Sequence, residues 1–215
     1  WQSNGVNMSY KCQKIFITYG RFQPVTWGHE NSFNAIKSAA DKAGCDYRIF
    51  ISHTNDKIEN PLKQVDKLMW MKLLLPDHAK KIVTINPSDP QTCVRYCMTA
   101  SKDIPKDYDE CVYMVGSDRV NAMQYLHKYN GCNPNRVNPN KNPDFSMKHF
   151  EVVSTGQRDA DGKTFSISGT KMRNWAIDGD WREFKKGLPK GNKLGNKDIT
   201  DFMKAIKKGM GYSVD

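Results

Sequence analysis

The sequence predicts an α/β fold: a Rossmann-like parallel sheet of about five strands, with helices on both faces and a C-terminal helical segment. Three observations predict it. Short Val/Ile-rich runs alternate along the chain with stretches of helical period. The strand runs are nearly continuous in apolar residues, as strands covered on both faces are. Three strand–helix junctions, at residues 20–29, 52–61 and 116–119, carry the turn and cap residues such a fold places at the carboxyl ends of its strands, where ligands bind. A length of 215 residues suits one domain with a small appendage, and an aromatic content of 11% argues against disorder.

The elements follow in order. Lys14–Tyr19 reads as the first strand, ending at Gly20. His29–Ala43 reads as a helix with Phe33, Ile36, Ala40 and Ala43 on one face, stopped by Gly44. Asp46–Ser52, with Tyr47, Ile49 and Ile51, is the second strand; Pro61–Leu75 is a helix expected to turn Leu62, Val65, Leu68, Met69 and Leu73 inward. Ile82–Ile85 is the third strand. Ser88-Asp89-Pro90 caps a helix reaching Ala100. Cys111–Val115 is the fourth strand, followed by a helix over Arg119–Tyr129. Residues 130–147, rich in Asn, Pro and Gly, read as a loop insertion, either a surface excursion or a mobile flap. Phe150–Val153 is the fifth strand, and helices follow at Gly169–Ile177, Asp180–Lys186 and Asp198–Lys208. The domain then spans 14–189, with 1–13 as an extension and 190–215 as a helical tail. The seven residues ahead of Met8 are set aside, Met8 being a candidate start.

Thirty-three Lys+Arg against 23 Asp+Glu give a net charge of +10, compatible with nucleic acid, with small phosphorylated ligands or simply with solubility. The basic residues are scattered, with no long basic block, so nucleic acid is not the expected partner. The cysteines at 12, 45, 93, 97, 111 and 132 read as free thiols of a reducing cytoplasm, Cys45 and Cys111 facing the core. Cys93 and Cys97 lack a matching Cys/His pair, so no metal site is expected. No apolar run approaches the roughly 20 residues of a membrane helix.

The chemistry concentrates in two stretches. The first is Gly20-Arg21-Phe22-Gln23-Pro24-Val25-Thr26-Trp27-Gly28-His29. Gly20 lets the chain turn off its strand, Gly28 allows close backbone approach, and His29 opens a helix whose N–H groups favour anions. An ordinary strand–helix turn with a surface His is the plain alternative. The second is Ser166-Ile167-Ser168-Gly169-Thr170-Lys171-Met172-Arg173. Here Ser168 is a candidate N-cap, and Thr170 and Arg173 share a face at a helix start, a hydroxyl and a guanidinium suited to a polyphosphate. Capping alone is the alternative.

Together these stretches resemble the two signatures of the nucleotidylyltransferase superfamily, G-x-F-x-P-x-[HT]-x-G-H and I-S-[SG]-T-x-x-R, in the right order and about 140 residues apart. Thr26 stands where most families have His. The Gly-Arg-Phe-Gln-Pro form is similar to archaeal-type nicotinamide-mononucleotide adenylyltransferases. Gly116-Ser117-Asp118-Arg119, the second signature and the tail also resemble phage-encoded cytidylyltransferase-like proteins.

The resemblance implies adenylyl transfer from ATP to nicotinamide mononucleotide, giving NAD and pyrophosphate. The alternatives are a cytidylyltransferase using CTP and a phosphorylated alcohol, or a non-catalytic, virion-associated nucleotide-binding protein. It implies His29, Thr26 and Arg173 as catalytic residues, His29 bringing positive charge to the phosphates. Nucleotide would meet Tyr19, Gly20, Arg21, Phe22, Gly28, Gly116, Asp118, Arg119, Ser168, Gly169 and Thr170. The acceptor would meet Ser52, His53, Asn60, Lys67 and Trp70, with Trp70 stacking on a base. Mg²⁺ would bridge phosphate oxygens with little protein ligation. The expected compartment is the cytoplasm, of the host if the chain is phage-encoded; no membrane partner is expected, and a homo-oligomer is left open.

Overall fold

The computed structural model describes residues 12–86, 88–138, 144–156 and 167–214. The expectations for residues 1–11 and for Ser166 lie outside the described residues. Five parallel strands form one sheet: β1 (Lys14–Gly20), β2 (Asp46–Ile51), β3 (Ile82–Thr84), β4 (Glu110–Val115) and β5 (His149–Ser154), in the order β3-β2-β1-β4-β5. The chain builds outward from β1 to β3, then returns to place β4 on the other side of β1. The crevice between β1 and β4 is therefore the topological switch point, where open α/β sheets hold ligands. The expected alignment of junctions is present: Gly20 pairs with Ile51, Ser52 N–H donates to the Gly20 carbonyl at 2.9 Å, and Gly116 follows the last residue of β4.

Alternation of side chains along each strand divides the core into two layers. Phe16, Tyr47, Ile49, Ile51, Val112 and Met114 pack on one face of the sheet with α1 (Trp27–Ala43), α2 (Gln64–Leu74), α5 (Gly169–Asp178), α6 (Trp181–Gly187) and α7 (Asn196–Gly209). Ile15, Ile17, Phe50, Cys111, Tyr113 and Val152 pack on the other with α3 (Pro90–Tyr96), Leu126, Phe145 and Met147. Two covered faces explain why the strands read as unbroken apolar runs.

Several expectations need correction. The inward face of α2 is Lys67, Trp70, Met71 and Leu74, whereas Val65, Met69 and Leu73 are exposed. The segment is apolar around much of its circumference, so its period fits two faces, and packing against α7 selects the one carrying Trp70. Helix α3 stops at Tyr96, four residues short of Ala100. The stretch 117–129 is a 3₁₀ segment, one α-helical turn (α4, Val120–Met123) and a second 3₁₀ segment, rather than one helix. The 130–147 insertion is pinned at its described ends: Asn130 exchanges side-chain hydrogen bonds with the backbone of Met147, both at 3.0 Å, and Phe145 and Met147 are buried.

Cys12 and Cys45 form a disulfide, which overturns the reading of all six cysteines as free thiols, while Cys45 packs half-buried against the core as expected. Both residues sit just ahead of strands, and the β1–β2 register (Ile15 opposite Asp46) brings their Cα atoms to 5.3 Å, inside the range a disulfide spans. Cys93, Cys97 and Cys111 are free and buried, and Cys132 is free and exposed. Among the described residues, no helix is long and apolar enough to cross a membrane.

Candidate functional site

A cavity of about 560 Å³ opens at the carboxyl ends of β1 and β4. Its wall is built from Thr18, Tyr19 and Gly20 of β1, the loop after β1, the loop after β2, Tyr113, Val115 and Gly116 at the end of β4, and the start of α5. The described lining residues include Arg21, Arg119, Arg173 and His29 but one carboxylate, Glu59. Such a wall attracts anions.

The loop after β1 is shaped by close approach. A Cβ on Gly20 would fall 2.6 Å from the Phe22 ring, and Phe22 itself holds a left-handed φ of 47°, a conformation non-glycine residues rarely adopt. Phe22 then packs edge-on against His29 at 5.1 Å and against Phe33 at 5.2 Å. Thr26 is the N-cap of α1, and its backbone N–H donates to His29 Nδ1 at 3.0 Å; its hydroxyl lies 3.0 Å from the same nitrogen. A backbone N–H can only donate, so Nδ1 accepts and the neutral ring carries its proton on Nε2. His29 lines the cavity, whereas Thr26 is 2% exposed and does not. The expectation of Thr26 at the phosphates is therefore corrected: its contact is with the imidazole that it orients. In this arrangement Nδ1 is an acceptor, and protonating it would cost the bond from Thr26. Gly28 is likewise not among the lining residues.

The second stretch meets the first directly. Ser168 caps α5, accepting from Lys171 N–H at 3.2 Å. Arg173 donates to the Gln23 carbonyl at 2.8 Å and to Thr170 Oγ1 at 3.1 Å. Gly169 is required by the same contact, since a Cβ there would lie 2.9 Å from the Gln23 carbonyl oxygen. Burial lowers the pKa of Arg173, while the Glu59 carboxylate acts in the opposite direction. Residues 150 positions apart thus form one wall, with Ser168, Gly169, Thr170 and Arg173 all on the cavity.

The loop after β2 is fastened through Gln23. Its amide donates to the Leu62 carbonyl at 2.8 Å and accepts from Leu62 N–H at 3.1 Å. Asp56 accepts from the backbone N–H groups of Ile58, Glu59 and Asn60, and the Asn60 amide donates to its other oxygen, holding the Asp56 carboxyl far below the usual range. Asn60 lines the cavity, is 3% exposed, and its Oδ1 has no hydrogen-bond partner among the described residues. Lys67 is buried, its Nζ donating to the carbonyls of Arg21 and Ser52, so it ties the ends of β1 and β2 together behind the wall.

Several expected acceptor contacts are not on the cavity. Ser52 is fully buried, and its Oγ pairs with Thr54 Oγ1 at 2.6 Å. His53 turns to Ser88, with Nδ1 3.0 Å from its hydroxyl. Trp70 is not a stacking platform: its ring packs on Phe202 of α7 at 4.7 Å, because its face of α2 points into the core. In the turn after β4, Gly116 and Arg119 line the cavity, whereas the exposed Asp118 does not. Tyr19 lines it while its hydroxyl donates to the Ser88 carbonyl at 2.9 Å. Sequence reasoning missed Glu59, Tyr113, Met123 and Thr155 as lining residues and Gln23 as the hub of three segments. Gln23 stood inside the quoted motif, but nothing local marks a side chain whose partners lie 39 residues away.

Among the described residues, no group of three or more His, Cys, Asp or Glu side chains is placed to hold a metal ion. With one carboxylate among its described lining residues, the cavity does not fit a resident Mg²⁺. Compared with models of known families and with curated proteins, the chain matches none. The functional reading therefore rests on geometry: three guanidiniums and an imidazole N–H around a cavity at the switch point can bind a polyphosphate and stabilise charge developing on it.

Proposed function

We propose that the chain is a nucleotidylyltransferase that moves an adenylyl group from ATP to nicotinamide mononucleotide. The observation that carries this reading is the junction of the two distant loops, where Arg173 reaches the Gln23 carbonyl and shares the cavity with His29 and Arg21. In the reaction, an acceptor phosphate oxygen attacks the α-phosphorus of the triphosphate. The new O–P bond forms as the bond to the β-phosphate oxygen breaks, and pyrophosphate leaves. The chain's own work is positioning and charge stabilisation. Arg173 and Thr170 hold the phosphates that leave, and His29 donates its Nε2–H to oxygens that gain charge. Gly20 and Gly169 let backbone approach closely enough for this. Arg119, Tyr113 and Thr155, at the β4 and β5 end of the cavity, surround the nucleoside. Mg²⁺, in this reading, arrives on the triphosphate as its counter-ion.

For the acceptor, Asn60 Oδ1 lacks a hydrogen-bond donor and Glu59 supplies negative charge. Both favour a cationic ring bearing an amide N–H, as nicotinamide mononucleotide does, over a phosphorylated alcohol that carries neither group, such as glycerol phosphate. The test is product analysis with ATP or CTP against nicotinamide mononucleotide, glycerol phosphate and phosphocholine in the presence of Mg²⁺. NAD and pyrophosphate are expected from the first pair. Faster turnover of CTP with a phosphorylated alcohol would replace this reading with cytidylyl transfer. Nucleotide binding without turnover of any pair would leave a binding protein.

A further inference from the structure

The mouth of the cavity carries an ion pair between two of its lining residues. Arg21 Nη1 lies 2.5 Å from Glu59 Oε2, and both side chains are 55% exposed. The pair bridges two separate segments, the loop after β1 and the loop after β2, and both residues line the cavity. Arg21 is one of three guanidiniums there, and Glu59 is the single lining carboxylate among the described residues. Glu59 does not float freely: its backbone N–H is fixed to Asp56 Oδ1 at 2.7 Å, and Asn60 beside it is anchored to the same carboxylate. The charges acting on the Arg173 guanidinium include Glu59, Arg21 and Asp56, so the carboxylate stands in the field of both arginines.

We propose that Glu59 is a built-in competitor for the polyphosphate: in the unliganded chain its carboxylate holds the Arg21 guanidinium, and an incoming phosphate displaces it. The pair then sets the affinity of the site and couples occupancy to release of the loop after β2. The chemistry favours the exchange. A guanidinium binds phosphate oxygens in the same bidentate manner as carboxylate oxygens, and a polyphosphate brings more charge than one carboxylate. An exposed pair is weak enough to be displaced at little cost. With Glu59 free of Arg21, the loop holding Asn60 loses one of its ties to the loop after β1 and keeps the Gln23–Leu62 tie.

This proposal rests on the polyphosphate reading of the site, and its test does not depend on turnover. Inorganic pyrophosphate is titrated calorimetrically into the wild type, Glu59→Gln, Arg21→Gln and the double variant, with a thermal melt to establish folding. Ionic strength is kept at about 0.01 M, where screening is weak. Glu59→Gln should tighten binding by about three- to tenfold, through loss of both the competing pair and the repulsion. Arg21→Gln should weaken binding, and Glu59→Gln should add little in that background. If the wild type binds pyrophosphate and Glu59→Gln binds equally or more weakly, the competitor is overturned and the polyphosphate reading stands. If Glu59→Gln gains as much without Arg21, the carboxylate merely repels the ligand and the exchange is overturned. If neither the wild type nor Glu59→Gln binds pyrophosphate, both readings fall.

Discussion

Lys67 offers the prediction whose magnitude the structure fixes best. The side chain is 1% exposed, with its Nζ on the carbonyls of Arg21 and Ser52. Burial pushes its pKa down to about 8 from 10.5. At about 1.4 kcal/mol per pH unit, that displacement corresponds to roughly 3 kcal/mol against the charged form. The sign follows from proton counts. Between pH 8 and 10.5 the unfolded chain keeps the proton that the folded chain has shed, so stability rises with pH across that window. Below pH 8 both states are charged and the penalty is constant. The lysine should therefore add roughly 2–3 kcal/mol between pH 7 and pH 10. Tyr47 and Tyr108, raised to about 12 by burial, act in the opposite direction above pH 10, so the series ends there. The assay is urea unfolding of the wild type and Lys67→Met at pH 7, 8, 9 and 10. The readout is the difference between the two stability curves, not its offset, because the variant also loses two hydrogen bonds. A difference growing by that amount supports the argument, and parallel curves would refute it.

Further outcomes are expected. His29→Ala should lower kcat about 10²–10³-fold in the proposed reaction while the chain stays folded; His149→Ala, exposed and paired with Glu151, is the control in steady-state kinetics. His78 would be a poor control, since it is buried between the Tyr47 hydroxyl and Asn34. Gly209→Ala should cost about 1–3 kcal/mol in chemical denaturation, because its Cβ would fall 2.1 Å from the Pro61 carbonyl oxygen, backbone that cannot easily yield. Reducing the Cys12–Cys45 bridge, whose partners are 33 residues apart, should cost about 3–4 kcal/mol and lower Tm by about 10 °C in a scanning melt.

The sheet was legible because each strand announces itself locally. Apolar runs such as Ile15-Phe16-Ile17 fill both faces at once, and no other element accommodates them at that length. Helix α7 was legible within two residues at its start, since Ile199, Phe202, Met203 and Ile206 leave one choice of face. Helix α2 was not, because two stripes compete and only contact with Phe202 decides between them. The disulfide was invisible for a related reason: Cys12 and Cys45 become neighbours only once β1 and β2 pair in register.

The candidate site divides along the same line. Residues placed by their own turn, Gly20, Phe22, His29 and Gly169, were readable from the order of small, aromatic and capping residues. Residues whose position depends on a distant partner were not. Lys67 and Trp70 follow the loop after β2 in sequence, yet their face of α2 turns into the molecule, one to strap strand ends and the other to pack on α7. Thr26 shows the division within a single motif. A hydroxyl three residues before a histidine at a helix start can face the ligand or the imidazole, and composition does not distinguish the two. The backbone does: once Thr26 adopts the extended N-cap conformation, its N–H and hydroxyl both lie at 3.0 Å from Nδ1. The motif thus delivers one oriented imidazole rather than two groups at the cavity wall, and the positive charge comes from the arginines that the fold gathers from three separate segments.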